Sequence, residues 1–118
     1  MTRKNKSYKL RQAFYVKSFN EYFGSGTLED WQRLCTDLGL EGQDFRSKTK
    51  CRNAIKTINV NIWDLVDAVI HKDPKEIPQR FHSRRALIDY TLRTKRIFPL
   101  DAVKDEMGPV RALLRQIF

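Results

Sequence analysis

Long hydrophobic runs are missing from this chain. The most apolar stretch, Ile62 to Ile70, is interrupted by Asp64 and Asp67, and nothing approaches the ~18 to 20 uninterrupted apolar residues that a membrane span requires. Membrane insertion is therefore excluded as a reading. Cysteine is scarce as well: Cys35 and Cys51 are the only two, too few for a disulfide scaffold, and both fall on positions read as core-facing, where reduced buried thiols are expected. Adding His71 and His82 does not make a zinc site, because the order Cys35, Cys51, His71, His82 lacks a close cysteine pair and a close histidine pair. No metal and no cofactor is expected. The basic start MTRKNKSYKLRQ has no apolar segment behind it, so it does not read as a secretory signal, and the expectation is an intracellular protein, nuclear or cytoplasmic.

Recognisable catalytic spacings are also absent. The chain has no Gly-x-x-x-x-Gly-Lys-Ser/Thr loop, no Gly-x-Ser-x-Gly elbow and no His-Glu-x-x-His, which leaves no nucleophile with its base and no metal-ligand pair. Asp64 and Asp67 share a helical face by their spacing, as paired carboxylates do, but solvated helices place acids that way routinely. The run Gly24-Ser25-Gly26-Thr27 precedes a helix start, where backbone N–H groups can bind a phosphate. Glu29 and Asp30 stand directly behind it, and they favour a helix cap over an anion site. The expectation is that the protein is not an enzyme.

Positive charge is abundant, and it is segregated. Residues 1–20 carry six cations and no acid, residues 45–56 carry five and no acid, and residues 80–96 carry six cations against Asp89 alone. Residues 21–44 oppose them with six acids against Arg33, and the whole chain has a net charge of +9. A surface built from such blocks attracts a polyanion.

Its 118 residues, 41% hydrophobic, suit one modest core. Periodicity and punctuation predict an all-α fold, a compact single domain of about six short helices joined by tight Gly/Pro turns. Residues 1–8 read as a flexible basic arm and residues 9–118 as the helical domain. The first helix is assigned the inward face Leu10, Phe14, Phe19 and Phe23, ending at Gly24-Ser25-Gly26. Thr27 with Asp30 resembles a capping box for a helix bearing Leu28, Trp31, Leu34, Cys35 and Leu38. Ser47 and Asn61 are expected to cap two further helices, with Cys51, Ala54, Ile55 and Ile58 inward on the one and Ile62, Leu65, Val66, Val69 and Ile70 inward on the other. Pro74 and Pro78 confine residues 72–81 to a loop. Ser83 then caps a helix to about Thr94, Pro99 opens a small helix through Asp105, and Gly108-Pro109 starts the last, with Val110, Leu113, Leu114 and Ile117 inward.

Within this frame the helix after Ser47 has the character of a nucleic-acid contact, since all its charges are positive: Lys48, Lys50, Arg52 and Lys56, with Asn53 as a base-edge or phosphate donor. Arg80, Arg84 and Arg85, interleaved with Phe81 and His82 at a loop-to-helix junction, form a second candidate, arginine beside an aromatic suiting both phosphate pairing and base stacking. The succession of helix, Gly39-Leu40 turn, loop and basic helix is similar to a helix-turn-helix with a longer connection. It also resembles the cadence of SAP-type DNA-binding modules at Leu34, Leu38, Gly39, Leu40, Lys50, Cys51 and Ile55. That resemblance covers a limited part of the chain and assigns no family. The function expected is non-catalytic binding of DNA or RNA. The alternative is a helical interaction or oligomerisation module docking on an acidic protein or on a second copy, with Trp63, Tyr15 and Tyr22 as surplus aromatics for an interface.

Overall fold

A computed structural model describes residues 3–103 and 108–114. Six α-helices and one 3₁₀ turn occur among them, with no strand: α1 (Arg3–Phe23), α2 (Leu28–Asp37), α3 (Lys48–Ile55), α4 (Ile62–Val69), α5 (Arg84–Thr94), the turn Leu100–Ala102, and α6 (Pro109–Leu114). The radius of gyration, 14.1 Å, is close to the ~13.5 Å of one folded domain of this length. The all-α, single-domain reading therefore stands. Residues 104–107 and 115–118, which include part of the helix expected after Pro99 and the inward Ile117, lie outside the described residues.

Local chemistry sets the helix starts. Thr27 Oγ1 accepts from the Asp30 N–H (3.1 Å) and Asp30 Oδ2 accepts from the Thr27 N–H (2.9 Å), a complete capping box with Asp in the third position. Ser47, Asn61 and Ser83 accept from Lys50, Asp64 and Ala86 in the same way. Each cap was legible in the sequence. Asn61 does more than cap: its Nδ2 donates to Thr91 Oγ1 and to the Arg96 carbonyl, so this buried amide joins the start of α4 to the end of α5.

Leu34, Cys35, Leu38, Cys51, Ile55, Leu65, Val66 and Leu113 fill the centre, and α2 lies directly on α3. Burying a side chain of this size stabilises by roughly 1.5–3 kcal/mol. The cysteines sit here as free thiols, Cys35 donating to the Cys51 carbonyl and Cys51 to the Phe45 carbonyl. Burial, and then the neighbouring Cys51, push the Cys35 thiol up to about 12.

α1 departs from expectation in two ways. It begins at Arg3, within the stretch read as a basic arm, and Tyr8 is fastened by its hydroxyl to the Lys95 carbonyl (2.8 Å). Its inward face is also rotated. Leu10 and Phe14 are 64% and 49% exposed, whereas Tyr15, Phe19 and Phe23 are buried. The physical reason is spacing: Phe14 and Phe19 are five apart and cannot share one stripe of a 3.6-residue helix. The true stripe runs through Tyr8, Gln12, Tyr15 and Phe19. Hydropathy hides it because its first three members carry polar tips, which Lys95, Ile97 and Asp67 satisfy.

The proline-bounded segment 72–82 is a strap across the C-terminal end of α2. Lys75 pairs with buried Asp37 (2.6 Å), the Glu76 N–H donates to the Ala68 carbonyl, Pro78 is buried, and Arg80 donates to the Leu38 carbonyl (3.1 Å). Arg80 thus satisfies a carbonyl that a helix end would otherwise leave without a partner. The strap ends where Phe81 and Asn59 exchange two bonds, Phe81 N–H to the Asn59 carbonyl (2.9 Å) and Asn59 Nδ2 to the Phe81 carbonyl (3.3 Å).

Candidate nucleic-acid interface

The positively charged residues divide into those the fold uses and those it displays. Arg96 belongs to the first group. Its Nε lies 2.8 Å from Asp64 Oδ1 and its second terminal nitrogen bonds Asp67 Oδ2, while Tyr90 and Tyr15 donate to the same two carboxylates at 2.9 and 2.8 Å. Its guanidinium also stands over the Tyr15 and Trp63 rings. The spacing of Asp64 and Asp67 is therefore that of a two-carboxylate receptor for one arginine. Burial, and then the bond to Asp64, raise the Tyr90 hydroxyl to about 12.

Trp63 and Tyr15 sit at the heart of this network, at 2% and 9% exposure, with their rings stacked 4.2 Å apart. Both rings belong to the core, and little of either is left for the interface that the alternative reading placed there. Tyr22 is half-buried and donates to Asp37 (2.6 Å), and Arg33 stands over its ring. Tyr15 and Trp63 thus pack α1 on α4, whereas Tyr22 ties α1 to α2. The sequence signal was surplus ring area on two helices; what it could not show was that the two surpluses face each other.

Among the proposed contact residues, Lys48, Lys50 and Asn53 are exposed on α3. Lys50 and Arg46 share Asp44 at 3.0 and 2.9 Å. Bonds from the Arg46 side chain and then from its backbone N–H hold the Asp44 carboxyl well below the usual carboxylate range. Arg52 lies over the Trp31 ring, 5.2 Å from its centroid, and both Arg52 and Lys56 are half-buried and engaged with the fold. Arg80, although exposed, is anchored at Leu38; Arg84 is exposed and in no ion pair among the described residues; Arg85 is 3.6 Å from Asp89, both largely in solvent. A surface pair of that kind holds its partner weakly, about 0–1 kcal/mol.

The Asn59–Phe81 exchange joins the two basic elements. Asn59 follows Lys56 by three residues, and Phe81 stands between Arg80 and His82. Two hydrogen bonds thus tie the turn that follows α3 to the strap that leads into α5. Beyond the junction, Phe81 packs on Tyr90 (4.7 Å between ring centres) and Arg93 stands over Tyr90. This cation-on-aromatic arrangement was not read from the sequence, although Phe81, Tyr90 and Arg93 were all visible there.

Gly24-Ser25-Gly26-Thr27 serves as a cap: Asp30 Oδ2 accepts from the N–H groups of both Gly26 and Thr27, so neither is offered to an anion. Beside this turn lies a cavity of about 480 Å³ that also reaches Lys48 and Arg52 on α3. No group of three or more His, Cys, Asp or Glu placed to hold a metal ion occurs among the described residues, and none of their helices is long and apolar enough to cross a membrane. No protein-family model, curated protein or solved structure matches the chain.

Proposed function

We propose that this protein binds nucleic acid without catalysing a reaction on it, Lys48, Lys50, Arg52, Asn53 and Lys56 on α3 and Arg80, Arg84 and Arg85 at the start of α5 forming its contact edge. The observation that carries this reading is the Asn59–Phe81 junction, which holds two acid-poor segments against each other. Cations on one fixed edge neutralise successive phosphates, and the affinity gained is steeply salt-dependent. Lys48 and Arg84 are the freest ends of that edge, being exposed and outside any ion pair among the described residues. Asn53 supplies a neutral donor for a phosphate or a base edge.

The test is titration of labelled duplex and single-stranded oligonucleotides at several salt concentrations. Lys48→Ala and Arg84→Ala should each lower the slope of log affinity against log salt by about one on duplex DNA. Lys17→Ala, on the exposed side of α1, is the charge-matched control and should leave the slope near that of the parent. Absence of binding at low salt, or equal losses for all three variants, would sink the proposal.

A second reading, docking on another protein, is supported by a different patch from the one expected: Leu10 and Phe14, one turn apart and exposed on α1, with Phe14 stacked on His71. It calls for a dimer or stable complex in sedimentation that Phe14→Ser abolishes.

A further inference from the structure

The outward side of α1 combines cations with apolar surface. Lys6, Leu10, Phe14 and Lys17 succeed one another at spacings of four, four and three residues, which sets them along one stripe of the helix. All four are exposed, and so are Lys9 and Arg11, which stand on either side of Leu10. No acid precedes Glu21 on α1. Lys6, Lys9 and Arg11 are in no ion pair among the described residues, and Lys17 faces Glu21 at 3.9 Å with both side chains largely in solvent. Beside the stripe, Phe14 walls a groove of about 590 Å³ between α1 and the end of α4. Tyr22, Val69 and Ile70, all half-buried, give the groove its apolar surface, and His71 stacks on Phe14 at 5.3 Å while Phe14 stays 49% exposed.

We infer that this face receives an acidic amphipathic helix of another protein, its apolar residues on Leu10 and Phe14 and in the groove against Val69 and Ile70, its carboxylates toward Lys6, Lys9 and Lys17; the inference rests on the protein-docking reading above and names the partner's chemistry. An incoming helix lays its i, i+3, i+4 and i+7 apolar residues into such a groove, and complementary charge along the rim fixes its register and speeds the encounter. From Lys6 to Lys17 the stripe is about 16 Å long, so a partner segment of roughly twelve residues covers it. Two other anionic ligands match less of the face. A phosphate backbone uses the cations and leaves Leu10, Phe14, Val69 and Ile70 without a counterpart. An anionic bilayer is too broad to enter the groove, and binding in its plane calls for a wider apolar face than two side chains. None of these residues belongs to α3 or α5, so substitution separates docking here from contact with nucleic acid.

The test uses the full chain with a labelled fourteen-residue peptide of leucine at helical spacing among alanine and glutamate, its twin with lysine for glutamate, vesicles of phosphatidylserine and phosphatidylcholine, and a single-stranded oligonucleotide. The parent should bind the glutamate peptide about tenfold more tightly than the lysine twin. Phe14→Ser, at an exposed position, should lower that affinity about tenfold, with circular dichroism checking that it folds. Lys6→Glu combined with Lys17→Glu should reverse the preference between the two peptides, which an unfolded variant does not do. Arg111→Ala, at an exposed cation of α6, should stay within about twofold of the parent. Equal affinity of the parent for both peptides, or no change in Phe14→Ser, would overturn the inference. A parent that dimerises in sedimentation through Phe14 yet ignores the peptides would overturn it too and leave the docking reading standing, with a second copy as the occupant. Neither dimer nor bound peptide would remove both. Vesicle or oligonucleotide binding that Phe14→Ser or the Lys6, Lys17 double variant weakens, without preference for the glutamate peptide, would reassign the face to lipid or nucleic acid and overturn the inference.

Discussion

Replacing Arg96 is the most informative single perturbation of this fold, because one side chain satisfies two carboxylates on α4 and covers two aromatic rings. Arg96→Ala leaves Asp64 and Asp67, with side chains 15% and 39% exposed, facing only the Tyr15 and Tyr90 hydroxyls. Each charge-assisted bond lost costs about 1.5–3 kcal/mol when buried, and the partial exposure of Asp67 and of Arg96 lowers that figure. The expected loss is about 2–4 kcal/mol. For a domain of this size it corresponds to a fall in Tm of roughly 10 °C. Arg96→Lys should fall between, since a single ammonium lacks the planar fork that reaches two carboxylates at once. The triple variant Arg96→Met, Asp64→Asn, Asp67→Asn should recover much of the loss, because removing every charge also removes the penalty of burying unpaired ones. Urea denaturation followed by circular dichroism measures all three. A loss below about 0.5 kcal/mol in Arg96→Ala, the range of an ordinary surface change, would refute the account of this network.

Three further outcomes follow from the geometry. Iodoacetamide at pH 8 should leave Cys35 and Cys51 unmodified in the folded protein and alkylate both in urea, since both thiols are buried and raised above their ordinary value, Cys35 to about 12; rapid alkylation of the folded chain would contradict this. Gly39→Ala should cost about 1–3 kcal/mol and Gly42→Ala about 1 kcal/mol, because both have positive φ (76° and 69°) but a Cβ at Gly39 would meet Ile77 at 2.9 Å while nothing lies near one at Gly42; equal costs would mean that Ile77 yields freely. The folded state holds the Tyr8, Tyr15, Tyr22 and Tyr90 hydroxyls above 10.0, Tyr90 at about 12, so the stability they contribute is complete below pH 10 and is lost as the pH climbs toward 12 and beyond. Asp30 and Asp44 are held below 3.8, and what they contribute is complete above that value and lost as the pH falls below it. Denaturant midpoints from pH 2 to 12 should therefore decline at both ends, and a flat alkaline limb would contradict the tyrosine contacts.

The fold class and the helix starts were legible because caps and apolar periodicity are local signals: Thr27, Ser47, Asn61 and Ser83 all act where the sequence placed them. The α1 face was misread because it is held to the rest of the molecule by polar tips. Tyr8 and Gln12 meet carbonyls 87 and 85 residues away, and no window along the chain contains both ends of such a bond. The burial of Trp63 was hard to read for a related reason. Its ring looked surplus to α4 alone, and the partner that buries it, Tyr15, is on a helix far away in sequence. The candidate contact residues were legible as charge blocks. Their neutralising partners were not, since Asp64 and Asp67 read as a free carboxylate pair until Arg96 is brought to them.

That pairing changes what the net charge of +9 means for a polyanion. A cation answered by buried or half-buried acids lends little to a phosphate, because transferring it would leave the carboxylates unpaired in a partly desolvated site. Arg96 is held in that way, and Lys75 is committed to buried Asp37. Lys50 and Arg46 differ, since their shared Asp44 lies at the surface, where salt and a competing phosphate loosen an ion pair. The basic blocks thus sort into cations that fix the helices and cations that can be lent to a ligand. On the proposed function, Lys48 and Arg84 are available to a phosphate outright, Lys50 and Arg85 conditionally, and Arg96 not at all. The salt dependence of binding should therefore track the displayed cations on α3 and at the start of α5, and it should stay well below what the count of lysines and arginines alone would give.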